Sequence, residues 1–251
     1  MTTPSAAGIW LRRYHASPSA AAELVCFPHA GGAAAYWYPL SALLAPGIET
    51  LAVQYPGRQD RHREPPVTDL HTLADRLAEV LAGPPARPRV FLGHSMGASL
   101  AYEVAARLEG RPGAPARLIL SGRRAPSRWR PSPEPSGDAA LVARVRALGG
   151  TDAHRLTDPD VLELVLPALR ADHLALAGYR DTPGAAVSCP VTAFAGERDA
   201  EAPVDDVAAW RHHTTGGFDL RVFPGGHFFI ADDAPGTARL IADLVRAVPT
   251  R

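Results

Sequence analysis

The segment Gly93-His94-Ser95-Met96-Gly97 constrains this chain more than any other. It has the form Gly-x-Ser-x-Gly, a sharp strand-to-helix turn that presents a serine hydroxyl. The pattern carries weight because of its flanks. Arg89-Val90-Phe91-Leu92 before it reads as a short buried strand. Residues 98–108 after it read as a helix, with Leu100, Val104 and Leu108 four apart on one face. Glycines flank Ser95 because the turn is strained and side chains beside it would clash.

A serine hydroxyl is a poor nucleophile at neutral pH unless a base takes its proton and an acid orients that base. Where this turn carries a nucleophile, the partners follow in the order acid, then histidine. Val191-Thr192-Ala193-Phe194-Ala195 reads as a strand followed by the loop Gly196-Glu197-Arg198-Asp199. Asp219 to Phe223 reads as the next strand, followed by Pro224-Gly225-Gly226-His227. Each candidate thus sits just past the carboxyl end of a strand, where open α/β sheets place their sites. Glu197, Glu201, Asp205 and Asp206 compete for the role of acid. Asp199 is preferred because it closes the first turn after its strand. His227 is the expected base, held against an apolar wall by Phe228-Phe229.

An early strand, 23–27, leads into Pro28-His29-Ala30-Gly31-Gly32. A glycine-rich loop at this place supplies one backbone N–H for an oxyanion hole, and the residue after the nucleophile supplies the other. Those donors are assigned to Ala30 and Met96. His29 is read as structural. The run Tyr36-Trp37-Tyr38 opens the next helix and is read as core packing, with a secondary role lining a pocket.

Strand patterns at 23–27, 49–54, 89–92, 117–121, 191–195 and 219–223 alternate with helical ones near 69–82, 97–109, 203–213 and 235–247. Residues 9–14 read as an edge strand. The alternation predicts an α/β fold whose mainly parallel sheet is covered on both faces. At 251 residues one domain is expected, spanning 1–251. The alternation breaks over 123–187, where the proline-rich stretch 131–135 precedes helical patterns at 138–148 and 159–178. This insertion reads as a lid over the sheet's carboxyl edge. The arginines at 123, 124, 128 and 130 are candidate contacts for an acidic partner.

A formal net charge of zero with no basic run argues against nucleic acid. All 26 basic residues are arginine, which points to a GC-rich genome. No apolar run reaches the length of a membrane span, and the N-terminal residues lack the pattern of a signal peptide. Cys26 and Cys189 read as free core thiols, fitting a cytoplasmic location. No metal spacing is present, and no bound cofactor is expected.

Together these residues resemble the stand-alone type II thioesterases of polyketide and nonribosomal peptide pathways. The resemblance is carried by Phe27 to Gly32, Gln54-Tyr55-Pro56-Gly57-Arg58 with Arg61, and Gly93 to Gly97. It continues through Leu169-Arg170-Ala171-Asp172, Gly196 to Asp199, and Gly225-Gly226-His227-Phe228-Phe229. It implies an α/β-hydrolase fold, a triad of Ser95, Asp199 and His227, and a lid that admits an acyl chain on a phosphopantetheine arm. It also implies a partner, the acyl or peptidyl carrier domain of a synthase, with editing as the role and a monomer as the default state. The length leaves no room for a fused carrier, which argues against a cyclising thioesterase. A general carboxylesterase and a catalytically dead hydrolase fold that binds a ligand remain the alternatives.

Overall fold

Strands whose side chains are apolar on both faces need cover on both faces, and this sheet has it. The computed structural model describes residues 6–130, 137–149, 157–182 and 184–249. Its strands are β1 (Leu11–Arg12), β2 (Ala22–Phe27), β3 (Ile48–Val53), β4 (Arg89–His94), β5 (Arg117–Ser121), β6 (Val191–Gly196) and β7 (Phe218–Phe223). They form one sheet in the order β1-β3-β2-β4-β5-β6-β7. Only β1 runs antiparallel, pairing with β3.

The helices are α1 (Ala6–Trp10), α2 (Tyr38–Leu44), α3 (Leu70–Leu81), α4 (Met96–Arg107), α5 (Asp138–Ala147), α6 (Pro159–Gly178), α7 (Val204–Ala208), α8 (Phe229–Asp232) and α9 (Ala234–Arg246). The two-residue period of the strands sorts their side chains between two cores. Val25, Phe27, Phe91, Leu118 and Leu120 face α3 and α4. Leu24, Cys26, Val90, Leu92 and Ile119 face α9 and the segment around Trp37 and Leu44. This is the expected α/β-hydrolase arrangement. No helix among the described residues is long and apolar enough to cross a membrane.

Three local expectations need correction. The edge strand expected at 9–14 shrinks to β1, because Ala6–Trp10 is helical. The strand register with β3 is limited to Leu11 and Arg12, opposite Val53 and Ala52. The single helix expected at 203–213 is α7 followed by a 3-10 turn over Ala209–His213. The helix expected to open with Tyr36 starts instead at Tyr38, after a 3-10 turn over Ala34–Trp37.

Between β5 and β6 the described residues hold α5, α6 and one isolated bridge, Val187 to Thr214. The proline-rich stretch 131–135 lies outside the described residues. Helix α6 matches its expected bounds because its start is encoded locally. Asp158 caps it by accepting the Asp160 N–H at 3.0 Å, and Pro159 takes the first helical position. Its buried residues, Ala168, Leu169, Ala171, Asp172 and Ala175, lie toward its second half.

Candidate active site

Register alone gathers the site. Phe27 pairs with Gly93, and Gly93 pairs with Leu120. The carboxyl ends of β2, β4 and β5 therefore align, and the loops after them meet at one edge of the sheet. At the end of β4 the chain turns through Ser95 with φ 54° and ψ −121°. That conformation is outside the regions a side chain favours and costs about 1–3 kcal/mol. The Ser95 N–H, donating to the Ser121 carbonyl at 2.8 Å, helps hold the turn.

The flanking glycines are explained by close approach. A Cβ on Gly93 would lie 2.1 Å from the Gly97 carbonyl oxygen. One on Gly97 would lie 2.0 Å from the Phe27 oxygen. The second contact also sets the start of α4 directly against the beginning of the glycine loop.

Ser95 Oγ lies 3.0 Å from His227 Nε2, and His227 Nδ1 lies 2.8 Å from Asp199 Oδ2. The three residues come from loops after β4, β7 and β6. The last two loops are joined by backbone. Arg198 N–H donates to the Gly225 carbonyl at 2.9 Å, and Glu197 N–H to the Phe223 carbonyl at 2.8 Å. Gly196 is required here, since a Cβ would meet the Gly226 oxygen at 2.4 Å. The Asp199 side chain is fully buried and that of His227 nearly so. Such a carboxylate needs several donors. Besides His227 it has the N–H groups of Glu201 and Ala202, both on Oδ1, at 2.9 and 3.2 Å.

The competing acids point elsewhere. Glu197 is exposed and faces Arg198. Glu201 accepts from Arg144, and Asp206 from Arg130. Asp205 is exposed.

The glycine loop 28–32 has four N–H groups, and two of them are occupied. Gly31 donates to Asp172 Oδ2 at 2.7 Å, and Gly32 donates to the His29 carbonyl at 2.9 Å. Those of His29 and Ala30 have no acceptor among the described residues, and Ala30, at the tip of the turn, is the one expected as donor. Met96 opens the twelve-residue α4, so its N–H has no acceptor within the helix and sits at the positive end of the helix dipole.

His29 is structural, as expected, but its setting was not legible in the sequence. Its ring meets Tyr36, Phe228 and His94 at centroid distances of 4.5, 5.0 and 6.2 Å. His94 in turn packs on His227 at 5.2 Å and shares a hydrogen bond with Ser121. Burial pushes the His29 imidazole down to about 3, with His227 and Arg58 adding repulsion, and burial likewise holds His94 well below its ordinary value. His94, packed on His227, and His29 behind it are therefore neutral rings. As pH falls from about 6.5 toward about 3, the unfolded chain takes up protons at His29 that the folded one refuses, so stability falls. Proton uptake on unfolding near pH 5 should be smaller by about one in His29→Leu than in wild type, measured by the pH dependence of urea unfolding.

The aromatic run divides by role. Trp37 is core, Tyr36 belongs to the histidine cluster, and Tyr38 is half exposed against Tyr14 and His15. Both cysteines are free. Burial raises the Cys26 thiol and pushes that of Cys189 up to about 12, so neither is a nucleophile.

The arginine cluster also divides. Arg123 is turned inward onto Ser99, and Arg124 onto the Glu201 carbonyl. Only Arg128 and Arg130 are exposed, beside Arg211 and His212 in one surface depression.

A family model described as a thioesterase domain matches residues 22–245. The chain is 46% identical over 252 residues to the probable cadicidin biosynthesis thioesterase of Streptomyces griseus, covering 99% of this chain and 70% of that one. The solved structure of the type II thioesterase BorB from the borrelidin biosynthetic cluster superposes with a TM-score of 0.87 at 40% identity. That match covers 98% of this chain and 100% of BorB. YbtT, a type II thioesterase from the yersiniabactin NRPS/PKS pathway, matches at 30% identity with a TM-score of 0.80, over 93% of this chain and 95% of that one. The chain belongs to the thioesterase family and is a hydrolytic enzyme resembling the type II thioesterases of polyketide and nonribosomal peptide clusters.

Proposed function

We propose that this enzyme releases acyl groups from the phosphopantetheine arms of carrier proteins, clearing stalled or wrong intermediates from a polyketide or nonribosomal peptide synthase. The observation that carries the reading is the Ser95–His227–Asp199 chain of contacts, at 3.0 and 2.8 Å, in a protein of this family.

The chemistry follows from the positions. His227 Nε2 takes the Ser95 proton as Oγ attacks the thioester carbonyl. Asp199 holds Nδ1–H and stabilises the imidazolium. The N–H groups of Ala30 and Met96 receive the oxyanion. Collapse breaks the C–S bond, and the pantetheine thiol leaves with the proton from His227. Water then gives a proton to His227 and attacks the acyl-serine. The free acid departs and Ser95 recovers its proton. Residues 123–187 act as the lid.

Ala30→Pro tests the oxyanion assignment, because proline removes the N–H yet suits this position of the turn. It should lower kcat about a hundredfold with the protein still folded by circular dichroism. Unchanged kcat would remove Ala30 from the hole.

Carrier recognition predicts a higher kcat/KM on an acyl-carrier than on the same acyl group on N-acetylcysteamine, since contacts remote from the carbonyl can lower the barrier. If exposed Arg128 and Arg130 meet an acidic carrier, the preference should shrink at high salt and in Arg128→Ala and Arg130→Ala. Equal efficiency on both substrates would favour a general esterase. A preference indifferent to salt and to both arginines would keep the function and reject this docking site.

A further inference from the structure

Asp172 lies on the buried stripe of α6 among alanines and Leu169, and its side chain is 1% exposed. Arg58, from the loop after β3, meets it with 6% exposure. The guanidinium reaches both carboxylate oxygens, at 2.7 and 2.9 Å. A buried pair of this kind adds little net stability, because desolvation offsets most of the attraction.

Its remaining bonds suggest another use. Asp172 Oδ2 also accepts the Gly31 N–H at 2.7 Å, and Arg58 Nη1 also donates to the Gly32 carbonyl at 3.1 Å. The ion pair thus grips two successive residues of the glycine loop. That loop is a four-residue turn closed by Gly32 N–H on the His29 carbonyl. Gly31 has φ +73°, whereas Ala30 does not have a positive φ, which is the signature of a type II turn. Types I and II differ by a flip of the central peptide, here Ala30–Gly31, and Asp172 holds the N–H of that peptide. Leu169, three positions earlier and so on the same face of α6, closes on the same glycine. A Cβ on Gly31 would lie 2.8 Å from Leu169 Cδ1.

We infer that Asp172, held by Arg58, is a positioning residue that fixes the turn carrying the Ala30 N–H, so that the seating of α6 and the assembly of the oxyanion hole are one event. The inference rests on the proposed role of Ala30. It makes α6 a determinant of the chemical step, beyond covering the pocket.

Removing one charge alone leaves the other buried and endangers folding. The informative variant is therefore the double Arg58→Met/Asp172→Leu, which leaves no orphan charge. Its fold is checked by circular dichroism and thermal melting. The readouts are kcat and KM on an acyl-N-acetylcysteamine thioester, and Ki for the matching trifluoromethyl ketone. That ketone adds Ser95 Oγ and places an oxyanion in the hole. The double variant should lose about a hundredfold in kcat and in ketone affinity together, with KM within about threefold. Arg58→Met/Asp172→Asn, which leaves no orphan charge and keeps an acceptor for the Gly31 N–H, should lose at least about tenfold less than the first double variant.

A folded Arg58→Met/Asp172→Leu variant with wild-type kcat and Ki would overturn the inference, as would an effect confined to KM. Ala30→Pro separates the two levels. If it loses activity while the first double variant does not, only the clamp falls. If Ala30→Pro keeps full kcat, the donor assignment falls and takes the clamp with it.

Discussion

Ser95→Ala is expected to lower turnover about a millionfold while leaving the fold intact, the scale of loss when a serine nucleophile acting with its base is deleted. The structure makes this a clean substitution. Alanine keeps the Cβ that already tolerates φ 54°, and the N–H bond to Ser121 is a backbone bond the variant retains. Only Oγ is lost, 3.0 Å from His227 Nε2. Steady-state thioester hydrolysis checks the loss. An alanine variant retaining even about a tenth of wild-type turnover would mean that another group attacks the carbonyl.

Asp199→Asn should cost about ten-thousandfold. The hydrogen bonds say why. Oδ1 of Asp199 accepts two backbone N–H groups, so asparagine places its carbonyl oxygen there and turns its NH2 toward His227 Nδ1. A donor facing Nδ1 forces the proton onto Nε2, which then cannot take the Ser95 proton. Asp205→Asn and Asp206→Asn each should cost less than about tenfold, since the first faces solvent and the second is occupied by Arg130. A larger loss at either than at Asp199 would relocate the acid.

What was legible in the sequence was what is encoded locally. The strand–turn–helix around Ser95 announces itself through two glycines whose absence of Cβ is a backbone necessity. Asp199 and His227 each lie in the loop just after a strand, so sequence position translated directly into placement at the sheet edge. Helix α6 carried its own cap in Asp158-Pro159. The misses depend on partners distant in sequence. Helix α7 gives way to a 3-10 turn where Trp210 is drawn into the core and donates to the Arg123 carbonyl. The cluster of His29, Tyr36, His94 and Phe228 joins three separate segments. Arg58 and Asp172 are 114 residues apart. A sign was present: an acid three positions after Leu169 on an apolar helical face needs a buried partner, but the sequence does not say which arginine supplies it.

In the proposed reaction an acyl group passes from a carrier's pantetheine thiol to Ser95 before water releases it. Rapid-quench mass spectrometry of the wild-type enzyme mixed with an acyl-loaded carrier protein tests this most directly. A transient acyl adduct is expected on the peptide bearing Ser95, accumulating before free acid and absent in Ser95→Ala. Free acid released at full rate with no adduct at Ser95, or an adduct on a different residue, would contradict it.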